Sequence, residues 1–196
     1  HAGLGLAKIN TREDFIAYLS KRDEPDFFVG EFINYASAHD GNFRKYRIIL
    51  VDGKAFPCHM AISNNWDVWY MNADMRESAE KRREEALFME QFTSSFSKRH
   101  RKALDALAAG LGLDYFGIDC AEDKDGNLVV FEVDNALIVH DMDCKTTFPY
   151  KEKHMHGIFS AFEKALQRNC HSAAKEKLSY TLPKTEVIWP DRYALV

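Results

Sequence analysis

The 196-residue sequence has no Cys-x-x-Cys pair; its four cysteines, Cys58, Cys120, Cys144 and Cys170, are scattered along the chain. That spacing argues against a structural zinc site and against a dense disulfide scaffold, and it predicts a reducing, cytoplasmic setting. No apolar run reaches the roughly 20 residues that a membrane-spanning helix needs. No charged-then-apolar leader opens the chain, so no membrane partner is expected. Charge of one sign is also lacking. With 26 Lys and Arg against 30 Asp and Glu, the formal net charge of −4 provides no global field for nucleic acid or an anionic lipid surface. Neither a Gly-x-Ser-x-Gly elbow nor a lysine-bearing phosphate loop occurs, which disfavours a serine hydrolase and a P-loop enzyme. There is no internal repeat or low-complexity segment.

An apolar content of 46% is enough to fill one core, shared by one domain or by two closely joined lobes. The order of elements predicts an α+β fold. Asn10-Thr11-Arg12-Glu13-Asp14 is a capped helix start, and Pro25-Asp26 marks that helix's end. Phe27-Phe28-Val29-Gly30-Glu31-Phe32-Ile33 has the composition of a strand. Tyr46–Val51 and Ala55–Ile62 are strand-like runs joined by Asp52-Gly53, a dipeptide suited to a tight hairpin. Helical spacing follows from Arg76 to about Leu111, and the charged block Glu80-Lys81-Arg82-Arg83-Glu84-Glu85 reads as its solvated face. Tyr115–Ala121 and Leu128–Val133 form a second hairpin, Lys151 to about Arg168 is helical, and residues 176–196 read as an irregular tail.

Two of these strands carry acids among apolar neighbours. Asp119 follows Phe116-Gly117-Ile118, and Glu132 interrupts Leu128-Val129-Val130-Phe131 before Val133-Asp134. Alternate strand residues share a face, so Glu132 and Asp134 project together, and antiparallel pairing is able to bring Asp119 to them. Three converging carboxylates repel one another and call for a cation; hard oxygen donors favour magnesium or manganese. The same acids also suit an exposed sheet face, and the pattern alone does not choose.

In order and spacing, Asp119, the Glu132-Val133-Asp134-Asn135-Ala136 run, Gly30-Glu31-Phe32-Ile33 and Tyr46-Arg47-Ile48-Ile49-Leu50-Val51 resemble the ATP-grasp superfamily, most of all the RimK-type and glutathione-synthetase-type ligases. The resemblance implies an ATP-grasp fold of two lobes with mainly antiparallel sheets and flanking helices. Residues 1–35 would be a remnant of the smaller lobe, and residues 36–175 the larger. It implies an ATP-dependent ligase that activates a small-molecule or peptide carboxylate as an acyl phosphate and couples it to an amine or thiol, with ATP and magnesium or manganese as cofactors. Asp119, Glu132 and Asp134 would be the metal ligands, Asp134 standing where those enzymes carry Asn. Glu31, Phe32 and Ile33 would form the adenine-binding hinge strand, and Arg47 would neutralise phosphate as the catalytic cation. Lys45 stands where the family often has an acid, as a second cation for phosphate or an acidic substrate, and His59 would face the nucleotide. Gly3 and Gly5 resemble the glycine loop over the triphosphate, where backbone amides approach phosphate oxygens. Asn72 is a weaker match to a polar ligand.

In those ligases a lysine-bearing strand and an N-terminal domain precede the glycine loop, and here the chain begins at His1. The resemblance therefore covers His1 to about His140. It leaves two alternatives to a working ligase fragment: a catalytically silent nucleotide-binding or interaction module, and a metal-dependent hydrolase built on the same acids. Other motifs carry less. Asp123-Lys124-Asp125-Gly126 begins like a calcium loop but runs into strand residues, and His154 and His156 have the wrong offset for two ligands on one helix face. His140-Asp141-Met142-Asp143 follows the acidic strand and could line the substrate side.

Overall fold

The structure, a computed structural model, describes residues 5–175, so Gly3 and the tail 176–196 lie outside the described residues. The described residues form a mixed fold of one four-stranded antiparallel sheet and five α-helices. Helix α1 (Arg12–Leu19) starts at Thr11, whose hydroxyl accepts from the Asp14 N–H while the Asp14 carboxylate accepts from the Thr11 N–H. This reciprocal cap satisfies N–H groups that a helix start leaves without partners. The helix stops at Leu19, short of the Pro25-Asp26 boundary expected from the sequence.

Strands β1 (Phe43–Val51) and β2 (Lys54–Ser63) form the expected hairpin. At its turn, Asp52 and Gly53 have φ of 48° and 72°, the positive angles that match a tight turn to the twist of two strands. The helical region divides into α2 (Ala79–Glu90), α3 (Phe96–Arg99) and α4 (Arg101–Leu111), which ends on Gly112 in the left-handed conformation. Strands β3 (Tyr115–Glu122) and β4 (Leu128–Asp134) form the second hairpin, and α5 (Lys151–Lys175) follows. Spatial order is β2-β1-β3-β4. Among the described residues no helix is long and apolar enough to cross a membrane.

Alternation along β1 sends Ile48 and Leu50 to one side of the sheet, into a core with Phe116, Ile118, Phe96 and Leu104. Ile49 and Val51 go to the other side, against Met155, Ile158 and Ala165 of α5. Each fully buried aliphatic side chain of this kind stabilises the fold by ~1.5–3 kcal/mol. Phe88 of α2 packs against both cores, so α2 lies along the outer edge of β2.

One expected strand is absent. Phe27–Ile33 forms no ladder; Phe28 and Val29 are almost wholly exposed, and Phe32 instead meets Trp66 edge-on at 5.7 Å. Strand composition specifies a strand only where a partner edge supplies the hydrogen bonds. The strand nearest in sequence, β1, is paired with β2 on one side and β3 on the other, and takes only the isolated Ala36–Phe43 bridge.

Candidate functional site

The α5-covered face of the sheet changes character along its length. Beneath α5 it presents Ile49 and Val51; one step back along β1 it presents Arg47 and then Lys45. Register fixes what stands beside them. Arg47 pairs with His59 of β2 on one side and with Asp119 of β3 on the other, and Asp119 in turn pairs with Glu132 of β4. One row of four residues thus crosses all four strands: His59, Arg47, Asp119, Glu132. Cross-strand partners project to the same side, so Asp119 and Glu132 share a face as the acid pattern anticipated.

Two register shifts flank this row, one between Arg47 and Ile48 opposite β2 and one between Asp119 and Cys120 opposite β4. Cys58 and Phe131 are the residues passed over. Pro57, which has no N–H to give a ladder, sits beside the first shift on the edge strand, a place where proline is tolerated. Bulges bend a strand and re-aim its side chains, and they concentrate near binding sites.

Asp119 is 3% exposed and fully engaged. Arg47 Nε donates to its Oδ1 at 2.8 Å and Nη2 to its Oδ2 at 3.0 Å, while the Lys45 ammonium lies 3.1 Å from Oδ2. Burial on its own would raise the Asp119 pKa; the Arg47 hydrogen bonds and the two positive charges outweigh it and hold the carboxylate below its ordinary range. His59 moves the other way from a surface histidine. Burial, then the positive charges of Arg47 and Lys151, push it well below its usual value, so the imidazole is neutral at neutral pH.

Glu132 is exposed on β4 and contributes to the field at Arg47. Asp134 pairs with Gly117, and its carboxylate turns to accept from the Ala136 N–H at 2.7 Å. Among the described residues no group of three or more His, Cys, Asp or Glu side chains is gathered to hold a metal ion. The donor chemistry nonetheless fits the groups that the resemblance implies. Carboxylate oxygens are the hard donors that a divalent cation takes, with Glu132 exposed beside an Asp119 already held by Arg47 and Lys45, and those two cations are the donors that a polyphosphate takes. Of the remaining candidates, Gly5 has φ of 83° beside the Arg22 guanidinium, Asn72 receives the Trp69 N–H at 3.2 Å, and Glu31, Phe32 and Ile33 lie on the unladdered segment.

A second polar cluster was not foreseen from the sequence. Glu85, at the end of the block read as solvated, is fully buried; it accepts from the Met60 N–H at 3.1 Å, Tyr70 Oη at 3.1 Å and Tyr150 Oη at 2.6 Å. Lys151, also buried, lies 3.4 Å from Glu85 and 3.0 Å from Asp143. Glu85 and Met89, the two buried residues of α2, are four apart and so share the helix face turned to β2. Met60 on the outermost strand gives that buried carboxylate a backbone donor. The i, i+4 match to Met89 was the available signal, masked by five charged neighbours.

Comparison with known proteins finds no matching family model and no matching curated protein.

Proposed function

We propose that the chain is the nucleotide- and magnesium-binding part of an ATP-grasp ligase that activates a carboxylate with ATP and transfers it to an amine or thiol. The observation that carries this reading is the in-register row of Arg47, Asp119 and Glu132, on the stretch of sheet face adjoining the part under α5. In this reading residues 36–175 make the larger lobe and residues 1–35 belong to the smaller one.

Arg47 and Lys45 bind and orient the terminal phosphates through charge-assisted hydrogen bonds. Asp119 holds both cations in place before substrate arrives, which is the preorganisation that such charge stabilisation requires. Glu132 and Asp134, with Asp119 behind them, are the residues to hold magnesium or manganese. A bound divalent cation supplies neutralisation of phosphate charge as it develops. His59, neutral and next to Arg47, offers a ring N–H without adding charge.

Titration calorimetry with ATP in the presence and absence of magnesium tests this. Magnesium-dependent binding that is lost in Arg47→Gln is expected; equal affinity in Arg47→Gln overturns the assignment. Two observations favour a second reading, a nucleotide-binding module without turnover. Asp134 replaces the family's Asn, and Asp119 faces cations and not a group of acids. Binding of ATP with no ADP formed across a panel of carboxylates and amines would select it.

A further inference from the structure

Tyr70 sits on a short 3-10 turn, Tyr70–Asn72, after β2, and its ring centre is 4.7 Å from that of His59. Its hydroxyl is held from two directions, donating to Glu85 Oε2 at 3.1 Å and accepting from Lys151 Nζ at 2.6 Å. The Lys151 ammonium also lies over the Tyr70 ring, 4.2 Å from its centre. These two clamps belong to different helices, Glu85 to α2 and Lys151 to the first turn of α5.

A buried ion pair with its hydrogen bonds is seldom more stable than apolar packing of the same volume, and its fixed geometry suits it to a positioning role. Here it specifies the place of one aromatic ring. That ring's neighbour is His59, the residue directly across from Arg47 in the row. Burial of Glu85 and Lys151 removes the freedom by which the tyrosine could turn away.

We propose that Tyr70, clamped by Glu85 and Lys151, is the positioning residue that fixes His59, and that His59 so held contacts a nucleotide phosphate beside Arg47. The phosphate half of this inference rests on the nucleotide reading above; the positioning half does not.

The test compares wild type, Tyr70→Phe, His59→Gln and the double variant by titration calorimetry with magnesium-ATP, together with nitrogen-edited NMR of the His59 ring. Tyr70→Phe keeps the ring and removes the clamped hydroxyl. A loss of about fivefold in affinity, the size of one lost hydrogen bond, is expected in each single variant. The double variant should be no weaker than His59→Gln alone, since Tyr70 acts through His59. His59 ring signals should shift in Tyr70→Phe without ligand. Additive losses, or unchanged affinity in Tyr70→Phe, overturn the phosphate contact through Tyr70; unmoved His59 signals overturn the positioning. Absence of ATP binding by wild type sinks the nucleotide reading and the phosphate half together, while the ligand-free spectra still decide the positioning half. Should Tyr70→Phe fail to fold, Glu85→Gln, which loosens the same clamp while Asp143 still pairs with Lys151, makes the same comparison.

Discussion

Arg47 and Asp119 face each other across β1 and β3 with both carboxylate oxygens bonded to one guanidinium, and Lys45 reaches the same carboxylate from two residues away. Asp119→Asn removes the charge and keeps the shape. It leaves two partly buried cations against a neutral amide, so a loss of roughly 3 kcal/mol in unfolding free energy is expected, at the lower end for a broken buried pair. The pH dependence follows from the sign of the shift. Because the folded carboxylate titrates below its ordinary value of 3.8, its stabilisation is complete above that value and disappears as the pH falls through the lower folded one. Denaturant titrations from pH 6 downward should therefore show an acid loss in wild type that is smaller in Asp119→Asn.

Glu132 occupies the same row but a different environment. Its side chain is exposed, so Glu132→Gln should shift thermal stability by no more than about 0.5 kcal/mol. Under the proposed function the same change removes a metal ligand, and magnesium-dependent ATP affinity should drop by at least tenfold, or about 1.4 kcal/mol. Calorimetry beside a melting curve separates the two effects. Unchanged affinity would remove Glu132 from the metal site.

Much of this arrangement was legible because it depends on local rules. Asp52-Gly53 set the turn of the first hairpin, and the alternation of acids with apolar residues put Asp119 and Glu132 on facing strands. What stayed hidden depends on which strand lies beside which. Placing β1 next to β3 brings Arg47 to Asp119 across 72 residues of sequence, and nothing local encodes that contact. Phe27–Ile33 differs for the opposite reason: its composition is strand-like, but it pairs with neither edge of the sheet. The burial of Glu85 is hidden in the sequence because five charged neighbours outweigh its one helical spacing to Met89.

Glu85 and Lys151 are both buried and lie 3.4 Å apart, so each sets the charge state that the other requires. Burial raises the Glu85 pKa, partly offset by Lys151 and three hydrogen bonds, so this carboxylate's contribution favours the fold below its unfolded pKa and declines as pH rises through the folded value. Lys151→Met strips the counter-charge from a buried acid. The expected cost is roughly 3–5 kcal/mol at neutral pH, reduced when the pH is lowered and Glu85 takes up a proton. Combining it with Glu85→Gln should recover part of the loss, since the second change removes the unpaired charge. A double-variant cycle by urea denaturation at two pH values measures this. Additive losses would mean that the two side chains do not share one electrostatic site.

Gly117 links core packing to the acidic strand. It lies between Ile49 of β1 and Asp134 of β4, and a Cβ built on it would stand 2.5 Å from Leu137 Cδ1 and 2.9 Å from Ile49 Cδ1. Leu137 follows Asp134 by three residues, in the turn whose Ala136 N–H the Asp134 carboxylate accepts. Gly117→Ala therefore does more than overpack. To admit one methyl, the Leu137 side chain must move and carry its turn with it, at a cost of about 1–3 kcal/mol. The displaced turn should also disturb Asp134 while leaving the Arg47–Asp119 pair, two residues along β3, in place. Thermal unfolding should record the first effect and magnesium-dependent ATP binding the second, with affinity for ATP in the absence of magnesium retained. Equal loss with and without magnesium would show that the whole row had shifted and that the Leu137 contact supports the sheet itself.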